Sequence, residues 1–364
     1  MTQSTVLIMA AGTGGHIYPA LTVAKLLQAN NIDVQWLGTP SGMENDVLAD
    51  TGIRLHRLPV NGLRGKGLLA LVAAPFMLLR SFWQAMSLIR QLRPCCVLGM
   101  GGYVAGPGGL AAWISGRPLV IHEQNAVAGT TNRLLAPIAT RVLESFPDTF
   151  AKSRRAVCTG NPVRAEIVAM RPGDRSYDGE RPLQLLVLGG SLGAAAVNAL
   201  VVDALAGLKD DLVVHVLHQS GKLKLDDTRS AYAAAGLSGD GQYRIVPFID
   251  DMPAAYQWAD LVVCRAGAGT LAELAVAGLP SILVPYPYAI DDHQSVNAGH
   301  LVSAGAAQMY SQQALTAEKL SSVLLRLAAA PDQLRAMALA ARGLAMPDAG
   351  SRLMSICMEV CNDR

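Results

Sequence analysis

The chain has 364 residues, 51% of them hydrophobic and 16% charged, with a formal net charge of +2. At roughly 100–200 residues per domain that length points to two domains or three small ones, and the hydrophobic content excludes intrinsic disorder. Thirty Lys and Arg nearly balance 28 Asp and Glu, so the charge gives no footprint for nucleic acid.

From the N-terminus, short apolar runs bounded by glycine or polar residues alternate with helical stretches. The pattern predicts strands over 5–10, 33–37, 54–60, 95–99, 118–122, 141–144 and 157–160, with helices over 20–28, 68–92 and 129–135. The alternation then restarts, with strands over 183–188, 213–218, 243–248, 261–264, 281–284 and 306–309. Such alternation predicts the α/β class, with parallel sheets buried on both faces. No targeting segment is expected, because the start carries no Lys or Arg and its apolar run is short. The longest uncharged stretch, 94–116, has the length of a membrane span. It breaks at Gly99-Met100-Gly101-Gly102, so a strand, a loop and a helix start of a soluble chain are predicted there.

The six cysteines, Cys95, Cys96, Cys158, Cys264, Cys357 and Cys361, form no CxxC and have no His at zinc spacing. They are expected to be reduced core residues in a reducing compartment.

The restart carries information. Gly12-Thr13-Gly14-Gly15 follows the first predicted strand, and Gly190-Ser191-Leu192-Gly193 follows the strand over 183–188, nearly half the chain later. Two strand–turn–helix units in one large sheet would satisfy this, but two similar doubly wound domains in tandem explain the spacing better. The polar stretch 172–181 reads as a linker or loop between them.

In open parallel sheets, ligands bind beyond the carboxyl ends of the strands. Glycine loops at 12–15, 99–109 and 190–193 sit at such ends. Each leads into a helix N-terminus, where unpaired N–H groups and the helix dipole favour an anion. Together they point to a phosphate-bearing ligand in a cleft shared by the two domains. A nicotinamide dinucleotide does not fit: Ile17 stands where the last glycine of GxGxxG belongs, and Trp36-Leu37-Gly38-Thr39 offers no acidic residue to a ribose. No glycine-rich loop ends in the Gly-Lys-Ser/Thr of a P-loop.

His16 reads either as a helix-capping histidine or as a base at the cleft edge, where the dipole disfavours added positive charge and the ring can accept a proton. His122-Glu123-Gln124-Asn125 places four polar side chains at a strand end and reads as part of a binding site. Arg164, in Asn161-Pro162-Val163-Arg164, is either an ordinary solvated arginine or a phosphate clamp. Glu273, in the helix entry Arg265-Ala266-Gly267-Ala268-Gly269-Thr270-Leu271-Ala272-Glu273, either complements the dipole or accepts from two ribose hydroxyls. Asp291-Asp292-His293-Gln294 resembles a metal site only superficially, and with no DxD anywhere neither a catalytic metal nor any cofactor is expected. The apolar run 68–79, edged by Arg64, Lys66, Arg80, Arg90 and Arg93 with Phe76, Phe82 and Trp83 nearby, reads either as a partly buried helix or as a patch resting on anionic lipid.

Several strings together, Gly12-Thr13-Gly14-Gly15-His16-Ile17-Tyr18-Pro19, Gly99-Met100-Gly101-Gly102-Tyr103, His122-Glu123-Gln124-Asn125, Gly160-Asn161-Pro162-Val163-Arg164, His218-Gln219-Ser220-Gly221 and Ala266-Gly267-Ala268-Gly269-Thr270-Leu271-Ala272-Glu273, closely resemble the MurG family of bacterial N-acetylglucosaminyltransferases. The match runs in the same order from Val6 to about Asn297. It implies the two-domain GT-B fold, two tandem Rossmann-like domains facing a central cleft. The acceptor- and membrane-facing domain would span 1–163 plus a returning C-terminal helix at about 345–364, and the donor domain 164–344.

The resemblance also implies the chemistry. GlcNAc would pass from UDP-GlcNAc to the C4 hydroxyl of undecaprenyl-diphospho-MurNAc-pentapeptide with inversion, on the cytoplasmic face of the inner membrane, with no metal and no nucleic acid. By the same resemblance Thr13, Gly14, Gly15 and Asn125 contact substrate, and Arg164 and Ser191 face the donor. Ile249 meets uracil through its backbone, and Ala268, Gly269, Thr270, Leu271, Ala272 and Glu273 hold ribose and diphosphate. Gln294 contacts the sugar, and His16 is the candidate base. Leu192 and Gly269 depart from the family's commonest residues. A UDP-GlcNAc epimerase of the same fold and a non-catalytic nucleotide-sugar sensor are the competing readings.

Overall fold

The alternation of buried runs and helices builds two separate parallel sheets. The structure, a computed structural model, describes residues 4–60, 68–170, 177–190, 193–208, 210–237 and 241–363, with backbone alone over 68–73. The chain divides into two compact units, Met1–Arg164 with Met346–Arg364, and Ala165–Ala345. The division falls upstream of the polar stretch 172–181, of which 171–176 lie outside the described residues.

In the first unit, β1 (Thr5–Met9), β2 (Asp33–Gly38), β3 (Arg54–Arg57), β4 (Cys96–Gly99), β5 (Leu119–Glu123), β6 (Arg141–Glu144) and β7 (Val157–Cys158) form one sheet in the order β3-β2-β1-β4-β5-β6-β7. In the second, β8 (Leu183–Leu188), β9 (Val214–Gln219), β10 (Tyr243–Val246), β11 (Leu261–Cys264), β12 (Ser281–Leu283) and β13 (Ala307–Met309) run β10-β9-β8-β11-β12-β13. The first strand of each unit is central and has parallel neighbours on both sides, β2 and β4 beside β1, β9 and β11 beside β8. Strand order reverses at these two strands, so the glycine loops after β1 and β8 lie at the switch points where such sheets bind ligands.

Burial explains the apolar runs. In β1, Val6 and Ile8 enter the core on one face of the sheet, while Leu7 and Met9 enter the core on the other. Alternate side chains point to opposite faces, and helices cover both. Predicted strands shorten where the backbone forbids pairing. The run over 54–60 stops at Arg57 because Pro59 has no N–H to give, and the run over 157–160 stops at Cys158 before Gly160 turns at φ +78°. The first helix begins earlier than predicted, at Gly14, and runs to Ala29, which places His16 in its first turn.

The C-terminal helix Ala349–Asn362 belongs to the first unit, where Leu353, Cys357 and Val360 join the core of Ile17, Ala20 and Val23. Gly350 lets it approach the helix Gly14–Ala29, since a Cβ there would stand 3.1 Å from Leu26 and 3.3 Å from Thr22. Its last turn carries a correction to the cysteine reading. Cys361 is disulfide-bonded to Cys95, the residue before β4, with Cα atoms 4.8 Å apart. Cys96, Cys264 and Cys357 are buried free thiols, and Cys158 is half-buried. The helix brings Cys361 to a residue 266 positions away, a pairing that no local spacing reveals.

Candidate active site

In the first unit the predicted residues follow the carboxyl ends of β1, β5 and β7. Thr13 is the N-cap of the helix Gly14–Ala29, in extended backbone and with no side-chain cap bond. Thr13 and Gly15 are exposed, and Gly14 and His16 are half-buried. The His16 ring lies over the loop after β4. Gly101 has φ +100°, and a Cβ there would stand 2.8 Å from His16 Nδ1, so only glycine leaves room for the imidazole. Arg164 is half-buried, its guanidinium 6.0 Å from the ring centroid of Tyr18 on the helix Gly14–Ala29.

The four polar residues at the end of β5 and just beyond it separate into two kinds. Asn125 is half-buried, whereas His122, Glu123 and Gln124 are buried. Glu123 accepts from the backbone N–H and side chain of Asn125 at 3.1 and 3.3 Å, from Gly129 N–H at 3.0 Å and from Asn132 Nδ2 at 2.9 Å. Its carboxylate is spent on closing the loop, which shapes the site without lining it. Gln124 Oε1 lies 2.8 Å from His16 Nδ1. Burial pushes the His122 imidazole down to about 4, so it is neutral at physiological pH.

In the second unit the helix Ala268–Ala277 starts from Gly267, at the end of the short loop after β11, with no acidic residue in its first turn. Ala268 and Leu271 are buried, while Gly269, Thr270, Ala272 and Glu273 are half-buried. Leu271 packs in the core, so it offers a ligand only its backbone. A Cβ at Gly269 would meet open space, so the glycine leaves this helix entry open. The Tyr256 hydroxyl donates to Glu273 Oε2 at 2.8 Å, fixing the carboxylate. The sequence reading missed Tyr256, because it lies 17 residues away on another helix.

The neighbouring loops are held by side chains of the same unit. Ile249 N–H donates to Gln219 Oε1 at 3.0 Å. Tyr286 N–H donates to Gln294 Oε1 at 2.9 Å, and Asn297 Nδ2 donates to Ala266 O at 3.2 Å, tying the helix His293–Ser303 to the loop after β11. Arg265 donates to the carbonyls of Val284 and Pro285, each at 3.1 Å, and to Gln312 Oε1 at 2.7 Å, so it braces the β12 loop. Ser191 and Leu192 lie outside the described residues, as do Arg64 and Lys66.

The first unit also carries an apolar groove of about 720 Å³, lined by residues that include Leu79, Phe82, Tyr103, Leu110, Leu134 and Ile138. Leu134 in its lining is 72% exposed, and on the helix Leu68–Leu92, which supplies Leu79 and Phe82, Phe76 and Trp83 are 75% and 58% exposed and Arg80 and Arg90 are exposed. Among the described residues no helix is long and apolar enough to cross a membrane.

Residues 6–144 match the glycosyltransferase family 28 N-terminal domain, and residues 184–353 match the glycosyltransferase family 28 C-terminal domain. A UDP-N-acetylglucosamine--N-acetylmuramyl-(pentapeptide) pyrophosphoryl-undecaprenol N-acetylglucosamine transferase of Stutzerimonas stutzeri is 53% identical over 359 residues, 99% of each chain. The enzyme of that name from Azotobacter vinelandii is 52% identical, over 98% of this chain and 99% of its own. The crystal structure of Acinetobacter baumannii MurG superposes with a TM-score of 0.82 at 41% identity, covering 98% of this chain and 99% of that one. By likeness along its whole length, in sequence and in fold, the chain belongs to the MurG family of glycosyltransferase family 28.

Proposed function

We propose that this protein transfers GlcNAc from UDP-GlcNAc to the C4 hydroxyl of undecaprenyl-diphospho-MurNAc-pentapeptide, inverting the anomeric centre, in peptidoglycan synthesis. The observation that carries this reading is the 53% identity, over 99% of both chains, to a relative named for that transfer. The placement of the predicted polar residues at strand carboxyl ends in each unit supports it.

The second unit holds the donor. Glu273, oriented by Tyr256, accepts from the ribose. With the Ile249 N–H engaged by Gln219, the Ile249 carbonyl is the atom that receives the uracil N–H. The N–H groups that open the helix Ala268–Ala277, at Ala268, Gly269 and Thr270, meet diphosphate charge, and Gln294 contacts the sugar with its amide group. Leu271 and Ala272 contribute backbone to the same turn, and Ser191 joins the donor set by family resemblance.

The first unit receives the acceptor through Thr13, Gly14, Gly15 and Asn125, and presents His16 as base. The hydroxyl oxygen attacks C1 as its proton moves to His16. The bond from C1 to the UDP oxygen breaks through a transition state of oxocarbenium character. Charge growing on the departing diphosphate is stabilised by preorganised N–H dipoles and by Arg164.

The acceptor is lipid-anchored, so the protein works as a peripheral protein at the cytoplasmic face of the inner membrane. The apolar groove, the exposed aromatics and Arg80 of the first unit rest on the anionic surface. The deciding experiment is UDP release with and without a short-chain lipid acceptor. Release only with acceptor, with a disaccharide product, supports the transfer. A new UDP-sugar formed from UDP-GlcNAc alone would establish an epimerase instead, and binding without release a sensor.

A further inference from the structure

One amide links the half-buried His16 ring to a fully buried imidazole. His16 Nδ1 lies 2.8 Å from Gln124 Oε1. Gln124 Nε2 lies 3.0 Å from His122 Nδ1 and 3.3 Å from the His122 carbonyl oxygen. His122 Nε2 lies 3.0 Å from the carbonyl oxygen of Gly160, with Ser145 Oγ at 3.4 Å beside the same nitrogen. Gln124 is only 1% exposed and His122 not at all.

Two backbone carbonyls fix the direction of every proton along this chain. A carbonyl oxygen only accepts, so Gly160 requires an N–H at His122 Nε2. For the same reason the His122 carbonyl requires the amino end of the Gln124 side chain. His122 carries a single proton, since burial holds it neutral, and that proton is on Nε2. Its Nδ1 is therefore a bare acceptor for the Gln124 amino group. Gln124 Oε1 then faces His16, and because it only accepts, the His16 ring in its one-proton form must donate from Nδ1. The lone pair of His16 is left on Nε2. Reversing the amide fails on both counts: it would set two acceptor oxygens against each other at the His122 carbonyl, and it would demand a second proton on a buried ring.

We propose that Gln124 and His122 are positioning residues for the transfer, holding His16 in the Nδ1–H tautomer so that Nε2 is the atom that takes the acceptor's proton. Neutral imidazole in water favours the opposite tautomer, and which nitrogen carries the proton is set by the hydrogen bond the other makes. The glutamine thus does by neutral hydrogen bonding what a carboxylate partner does in other histidine bases. Gly101 completes the device, because a Cβ there would stand 2.8 Å from Nδ1 and displace the ring.

The catalytic use rests on His16 being the base, whereas the tautomer does not, so the two are tested separately. Heteronuclear NMR of nitrogen-labelled histidine side chains reads the tautomer directly. Wild type is expected to show His16 as Nδ1–H, and Gln124→Leu to move it to the Nε2–H form. In kinetics, Gln124→Leu is expected to lower kcat by about tenfold or more with KM for UDP-GlcNAc unchanged. Gln124→Glu, which keeps an acceptor opposite His16, is expected to retain the Nδ1–H signature and recover part of the loss. An Nε2–H signature for His16 in the wild-type protein overturns the proposal even where no variant folds. An Nδ1–H signature combined with an unchanged kcat in His16→Ala overturns the catalytic use and, with it, the assignment of the base.

Discussion

His16 and Glu273 stand in different units, and each owes its orientation to a residue remote in sequence, Gln124 and Tyr256. Their substitutions are expected to separate. A general base contributes about 10²–10⁴-fold, so His16→Ala should lower kcat by that order while KM for UDP-GlcNAc stays within a few-fold, read by steady-state UDP release. Glu273→Ala should weaken UDP binding. Tyr256→Phe should weaken it less, by about 0.5–1.5 kcal/mol, the usual net worth of one hydrogen bond. Titration calorimetry with UDP measures both, and a Tyr256→Phe affinity equal to wild type would show that the hydroxyl does not orient the carboxylate. The string 122–125 shows where side-chain chemistry is legible and where it is not. Polar residues at a strand end signal something other than ordinary core, but Glu123, like Glu144, which accepts from Asp148 and Phe150 N–H, satisfies the amides of its own loop. Sequence cannot tell a carboxylate that meets a ligand from one that meets loop N–H groups, because both need the same residue at the same place.

Strands and helices were more legible than side chains. Buried parallel strands write themselves as apolar runs, and all the predicted runs form strands within a few residues of their expected ends. The glycine loops follow β1 and β8, because a tight turn and an open helix N-terminus at the switch point leave few alternatives. The helix Leu68–Leu92 was also predicted, but its apolar pattern left open whether it was buried or rested on lipid. The structure places its residues Leu79 and Phe82 along the groove with Leu110 and Leu134 from other helices. Leu134→Glu should therefore reduce co-sedimentation with anionic vesicles several-fold and leave UDP affinity unchanged, because the donor residues lie in the other unit. Retention that ignores both this change and the lipid charge would remove the groove from membrane binding.

Taken as a molecule, the protein carries one deeply buried histidine near a strand end in each unit. Burial pushes both His122 and His218 down from 6.5 to about 4. Between these values the unfolded chain binds protons that the folded chain does not, so stability is complete above about pH 6.5 and falls as pH drops toward 4. Each ring accounts for at most about 3 kcal/mol over that window. Thermal unfolding followed from pH 7 to 4.5 should show the melting temperature fall through this range, and a flat profile would contradict the burial of both rings.

The residue string alone was enough for the α/β class, the tandem repeat of a doubly wound sheet and the family, since hydrophobic period and glycine spacing are local and survive in one dimension. Folding in three dimensions settled the rest. It joined Cys95 to Cys361, turned Glu123 inward, set Tyr256 on Glu273, and ran a line of hydrogen bonds from the Gly160 carbonyl to His16. Each of these depends on a distance between atoms far apart along the chain, and hydrogen bonds and disulfides act only at a few ångströms.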